Sequence, residues 1–449
     1  MAIIPRAGSR SLQCLFRKPS SCTASRSLSA AAHDESANNN TTSPSTIRST
    51  SLGLEASLVQ PHLASISQLP EVAAVLEQPP RQASSAKAVV ESLRRAGDIF
   101  ASFAAGGPEH VAILALLADV QQTQLLDYKG ARQTVEQVSK FVETSSSAVR
   151  IEVALALAKT LWMQGDFSDC FQNTQALKNN DTLPSKEEFP MHIAAMENAH
   201  VLSTLMHEGP AAARTAALSL DVVGLPAPAQ AAQCLNLGVV EALCGLANNC
   251  EGDRTCSQQF DNAKQTWKQG LDLLFADEDN AVHTTPLRHA LEGRLQSNLA
   301  YAVLQYAGRN ETQISVASEH AREALKALEQ IRSDDGAATL PDEGWTRALS
   351  LVAQCYYRAG HAVTAEGLLQ SALDESHPVA HMTAQSILER QAAYQAYAAL
   401  CKDWEKRQGD ADRFLAKSQK LTEQLKGGWK NATELHSSLW LWTPSKFLN

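Results

Sequence analysis

The sequence predicts an all-α fold, a solenoid of antiparallel helix pairs, on three observations. From about residue 109 to 426 the chain is a succession of Ala- and Leu-rich segments whose apolar residues recur at helical spacing, never in strand-like alternation. Aromatic residues make up only 6% and β-branched runs are rare, so little is present from which to build a sheet. The segments also recur in the order helix, short break, helix, which is the pattern of internal repetition. Of 449 residues, 44% are hydrophobic and 19% charged, which suffices for a sizeable core. The longest uninterrupted apolar run, residues 111–118, is far short of the ~20 that span a bilayer, so no transmembrane helix is expected.

Residues 1–33 stand apart. They carry Arg6, Arg10, Arg17, Lys18 and Arg26, many serines, and no acidic residue before Asp34. That is the composition of an organellar transit peptide, and Arg26-Ser27-Leu28-Ser29 resembles the pattern cut by the mitochondrial processing peptidase. A mitochondrial location, in the matrix, is expected, with the plastid as the alternative. Loss of five basic residues moves the formal charge from -9 to -14. An acidic protein is a poor match for phosphate backbones, and no nucleic-acid partner is expected. The seven cysteines beyond the leader include no C-x-x-C pair, which fits a reduced compartment.

Residues 34–83 read as a low-complexity, disordered linker with one short helix near Pro70, because polar runs and Pro61, Pro70, Pro79 and Pro80 leave no room for more. A helical domain then spans residues 84–426. Its first helix places Val89, Leu93, Ala96, Phe100 and Phe103 on one face and ends at Gly106-Gly107-Pro108. Near its end, one long helix is expected from Thr383 to about Gln408, and another from Ala411 to Leu425. Residues 427–449 form an aromatic tail interrupted by Pro444.

Within the domain, Val352, Ala353 and Tyr356 are followed by Gly360, then Ala365, Leu369 and Ala372, with Pro378 beyond. This spacing resembles the tetratricopeptide repeat, a helix-turn-helix unit. Small residues stand where two helices cross closely, glycine relaxes the turn, and large residues fill the space to the next unit. Leu157, Ala158, Leu161, Gly165, Phe167, Cys170 and Leu177 give a second match, and Asn236-Leu237-Gly238 and Asn298-Leu299-Ala300 open weaker ones. The anchors Ala131, Cys170, Ala263, Ala321 and Ala365 are 39, 93, 58 and 44 residues apart, so loops are expected at residues 247–259 and 308–315. Six or seven helix pairs follow. The resemblance implies a right-handed solenoid whose first helices line a concave groove.

Chemistry finds little support in the residues. No glycine-rich phosphate loop is present, and Gly427-Gly428-Trp429-Lys430 reads as a helix-terminating turn. Neither H-E-x-x-H nor paired C-x-x-C occurs; Cys244, Cys250 and Cys256 are spaced for three thiolates or a loop disulfide, but free thiols are the expectation. Cys355 and His361 invite a nucleophile-base reading, yet Cys355 falls on the packing face and His361 follows the turn glycine. No catalytic residue, cofactor or metal is expected.

Function is therefore placed in the groove, with a protein or peptide as partner. Carried onto this chain, the family's inward positions are Glu152, Leu155, Lys159, Trp162 and Met163 on one helix, Arg294, Ser297, Tyr301 and Gln305 on another, and Arg347, Ser350, Gln354, Tyr357 and Arg358 on a third. Lys159, Trp162, Arg294, Tyr301, Arg347, Gln354, Tyr357 and Arg358 are the candidate contacts, since Trp, Tyr and Arg dominate binding hot spots. Trp440, Trp442 and Phe447 of the tail either cap the last helix face or hook a partner. The expected role is a non-enzymatic adaptor, an assembly or stability factor for an organellar complex. The alternatives are a helical RNA-binding protein of the pentatricopeptide kind, which needs a regular period and a basic surface, and an α-helical enzyme with an unrecognised pocket.

Overall fold

Local signals start or stop several helices of this protein. The structure, a computed structural model, describes residues 58–70, 72–73, 83–123, 125, 127–179, 187–218, 220, 224–247, 254–276, 286–334, 344–373, 383–425 and 433–441. These fall in one unit, Ile47–Asn449. The expected leader at residues 1–33, residues 34–57, Cys250, Gly427 to Lys430, Trp442 and Phe447 lie outside the described residues, as does the side chain of Cys256.

A short helix α1 (Leu63–Ile66) is followed by α2 (Ala83–Ala104) and then by seven helix pairs among the described residues. The pairs are α3 (Pro108–Thr123) with α4 (Tyr128–Phe141), α5 (Ser147–Gln164) with α6 (Phe167–Lys178), and α7 (Pro190–His207) with α8 (Pro210–Ala217). There follow α9 (Ala227–Ala247) with α10 (Arg254–Phe275), α11 (Pro286–Ala307) with α12 (Glu311–Asp334), α13 (Trp345–Arg358) with α14 (Ala362–Ala372), and α15 (Ala384–Lys402) with α16 (Gln408–Thr422). A single turn, α17 (Thr433–His436), closes the series. The described residues contain no β-strand.

Proline at the first helical position opens α7 and α8, where its missing N–H costs nothing. Asp127 accepts from the Gly130 N–H at 2.9 Å to cap α4, and Thr383 accepts from Ser386 N–H at 3.0 Å to cap α15. Helix α13 ends with Gly360 at φ 86, the His361 N–H reaching Tyr356 O at 2.9 Å and the Gly360 N–H reaching Tyr357 O at 3.0 Å. Gly165, at φ 76, ends α5 the same way. Both best-matched repeats thus turn through a left-handed glycine that releases the chain at once into the second helix.

Several expected boundaries shift for local reasons. The loop expected at residues 308–315 shrinks to a turn at 308–310: Asn310 accepts from the Gln313 N–H and α12 starts at Glu311. Helix α10 already begins at Arg254, inside the expected loop at 247–259. The long helix expected to Gln408 stops at Lys402, because Trp404 is extended (φ -110, ψ 109) and a 3-10 turn, Glu405–Arg407, precedes α16. Leu58, Val59, Ile66 and Val72, inside the expected linker, are buried in one cluster with residues of α2 and α3. Phe103 leaves the buried stripe of α2 and is 84% exposed.

Each pair packs on the next, and the first helices form an inner row: α5 touches α7, α7 touches α9, α9 touches α11, α11 touches α13 and α13 touches α15. The row closes on itself, since α15 also touches α5, with Gly165 lying against Ala384 and Leu425. The largest apolar cluster runs through this ring, and fully buried leucines such as Leu202 and Leu295 each contribute roughly 1.5 to 3 kcal/mol. Among the described residues no helix is long and apolar enough to cross a membrane.

Candidate functional site: a ring-closed bore holding the chain's own C-terminal segment

First helices that touch on both sides bury one face in the seams and turn another toward the space they enclose. The first helices carry many polar groups hidden from water: Lys159, Asn198, Asn236, Arg294, Ser297, Asn298, Arg347 and Ser350 are all buried. Buried polar groups need partners, and here several find them in the last described residues.

After α16 the chain returns to the ring, where α17 packs on α15 and α9. Leu435, Leu439 and Leu441 are buried in the ring's apolar cluster, and Trp440 packs beside them, half-buried. Gln385 of α15 donates its amide to the Ser437 carbonyl. Asn236 of α9 grips the backbone of Trp440 on both sides: its Oδ1 accepts from the Trp440 N–H at 2.9 Å, and its Nδ2 donates to the Trp440 carbonyl at 2.9 Å. The second Nδ2 proton goes to Asn198 Oδ1 on α7 at 2.8 Å, and Asn198 Nδ2 reaches the same Trp440 carbonyl at 3.4 Å. The guanidinium carbon of Arg294 on α11 lies 5.4 Å from the Trp440 ring centroid, a cation–π contact. Residues 435–441 therefore touch four first helices, α7, α9, α11 and α15.

The sequence-predicted contacts divide. Arg294 holds the tail. Arg347 Nη2 donates to Asn298 Oδ1 at 2.7 Å, joining α13 to α11 within the polar wall. Lys159 and Tyr301 are buried on α5 and α11, and Gln354 and Tyr357 are half-buried on α13, Tyr357 packed on the cluster that includes Tyr394 and Phe414. Trp162 meets Phe167 edge-on at 5.1 Å and thus locks α5 to α6. Arg358 donates to Leu304 O at 2.6 Å, satisfying a carbonyl in the last turn of α11. Glu152 Oε1 contacts His192 Nε2 at 2.8 Å across α5 and α7. The tail folds back, but onto the inner row rather than over one terminal helix face.

Asn198, Asn236 and Gln385 were not among the expected groove contacts. A signal for two of them was present: Asn236 and Asn298 each directly precede the leucine-small pair of a repeat, and Asn198 likewise precedes Ala199 on the intervening frame. Asn298 Nδ2 and Ser350 Oγ are buried with no hydrogen-bond partner among the described residues, so this wall has polar capacity beyond what residues 433–441 use.

Elsewhere, burial pushes the Cys355 thiol up to about 12, and Cys170 also to about 12, the opposite of what an activated thiolate requires. The His361 ring rests edge-on against Tyr356 at 6.1 Å. No group of three or more His, Cys, Asp or Glu with metal-binding geometry occurs among the described residues. Two shallow hollows flank α8 on the outside, lined by Glu208, Arg214 and Cys244 and by Phe171, Lys178 and His200, and neither contains a predicted groove residue.

No protein-family model matches the chain, and a search of the curated proteins returns no match.

Proposed function

We propose that this protein is a non-enzymatic scaffold that holds an extended segment of a partner protein inside a right-handed, tetratricopeptide-like solenoid. Its setting is the mitochondrion, where it serves assembly or stability of an organellar complex. The observation that carries the reading is the grip of Asn236 on both the N–H and the carbonyl of Trp440. A side-chain amide that pairs with a peptide unit recognises main chain of any sequence, while neighbouring side chains add selectivity; extended peptides are bound in this way wherever a fixed row of donors and acceptors faces them. Arg294 over the Trp440 ring and the buried Tyr301 and Arg347 are the residue types found at binding hot spots.

The test is capture of partners by the tagged full chain from isolated mitochondria, beside full chains carrying Asn298→Ala or Tyr301→Ala. A partner that is retained by the wild type and lost from the bore variants, with thermal unfolding of the variants unchanged, supports the reading. Capture indifferent to both changes sinks it. Location is checked by fusing residues 1–33 to a fluorescent reporter; mitochondrial fluorescence is the expected outcome and a diffuse cytosolic signal the contrary one.

A further inference from the structure

We propose that residues 433–441 are an intrasteric occupant of the bore, displaced in turn by a partner segment of like chemistry, one with an uncharged stretch that sets a tryptophan between two leucines. The inference rests on the scaffold reading above.

The occupant's attachments are those of a bound peptide. Its only regular structure is the single turn α17, and the backbone of Trp440 is held by side-chain amides of α7 and α9 instead of by a helix or sheet of its own. Displacement requires this segment to open as a local unit while the rest of the ring stays folded. Because the bonds Asn236 makes to the segment are to main-chain atoms alone, nothing in that grip requires the segment to come from this chain.

Selectivity comes from what surrounds the grip. Leu439 and Leu441 are buried on either side of Trp440, and Arg294 stacks on its ring. Ser437 and Ser438 are fully buried, and residues 437–442, SSLWLW, carry no charge. A competing segment with Asp, Glu or Lys in this stretch would have to bury an unpaired charge, which is prohibitive. Asn298 Nδ2 and Ser350 Oγ, buried and without a hydrogen-bond partner among the described residues, supply polar groups that an incoming segment can use and this one does not.

Tethering sets the threshold. A segment joined to its site by a short connection competes at an effective concentration on the order of 1 mM. A free copy of the same sequence must therefore approach that concentration to displace it, whatever its intrinsic affinity.

The experiment uses full-length chains and a fluorescent peptide with the sequence of residues 433–443, TELHSSLWLWT, read by anisotropy. Wild type should half-saturate only near millimolar peptide, and Trp440→Ala in the chain should tighten binding by tenfold or more. Adding Asn236→Ala to that variant should remove the gain. Equal binding to wild type and Trp440→Ala overturns the proposal. A concentration-dependent wild-type dimer that Trp440→Ala abolishes also overturns it, in favour of a second copy as occupant. Should Trp440→Ala fail to fold, amide exchange of the unmodified chain decides: Trp440 exchanging at least tenfold faster than Leu299 and Ala300 supports displacement, and exchange at the same rate makes the segment a permanent strut. Peptide exchange without site-dependent partner capture keeps the device and sinks the scaffold; capture without exchange does the reverse.

Discussion

Helix α9 has two faces two residues apart that solve opposite problems. On one, Gly238 lets the Trp267 ring of α10 lie directly on the helix backbone; an ideal Cβ at Gly238 would stand 2.3 Å from Trp267 Nε1. The ring is completely buried, and its Nε1 donates to Leu235 O at 3.1 Å. On the other face, Asn236 sits in the bore and satisfies a peptide unit more than two hundred residues away in sequence. The seam is held by shape and apolar contact, the bore by the need of buried polar groups for partners. Seams therefore determine whether the ring stands, and the bore determines what the ring holds.

This contrast can be broken from either side. The largest effect belongs to the seam: Trp267→Ala should cost about 3 to 5 kcal/mol, the range for deleting a buried aromatic, measured as a lowered denaturant midpoint with unchanged slope. Gly238→Ala at the same seam, and Ala365→Leu at the fully buried crossing of α13 and α14, should each cost about 1 to 3 kcal/mol by overpacking. If either is neutral, the seams are looser than their geometry indicates.

On the bore side, Asn236→Ala removes the partner of the Trp440 N–H and leaves its carbonyl only the longer 3.4 Å bond from Asn198, and should weaken docking of the tail by about 1 to 3 kcal/mol. The loss should be visible as faster exchange at Trp440, with a smaller shift in the global midpoint. A fall in the midpoint equal to that of Trp267→Ala would erase the distinction between the two faces. Smaller again is the effect expected for Cys355→Ala, which should leave partner capture intact. In the native chain, alkylation of Cys355 should stay slow up to pH 9, because burial holds the thiol protonated until about 12. At the bottom of the scale, Phe103→Ser, at an 84% exposed position, should change stability by no more than about 0.5 kcal/mol.

What was legible followed from how far each contact reaches along the chain. The pairing of α13 with α14 was readable from Gly360, Ala365 and Leu369, because the turn and the crossing are settled within some thirty residues. The break after Lys402 was not readable: the Ala-, Gln- and Leu-rich run of α15 favours helix throughout, and the stop coincides with Arg407 being claimed by Glu366 of α14 and by Asp410. Trp162 and Arg358 carry the residue types of a binding surface, yet the neighbours that occupy them, Phe167 and the Leu304 carbonyl, become evident only once the helices are placed.

The sequence by itself determined an all-helical chain, its turns and the small residues at its crossings, since periodicity, caps and left-handed glycines act over one or two helical turns. Only the tertiary structure decided that the first helices close into a ring, that Asn198 and Asn236 face its interior, and that the Trp440 backbone lies between them. Those contacts join residues up to 242 positions apart. They form because buried amides must find partners, a demand that local sequence states without naming who will meet it.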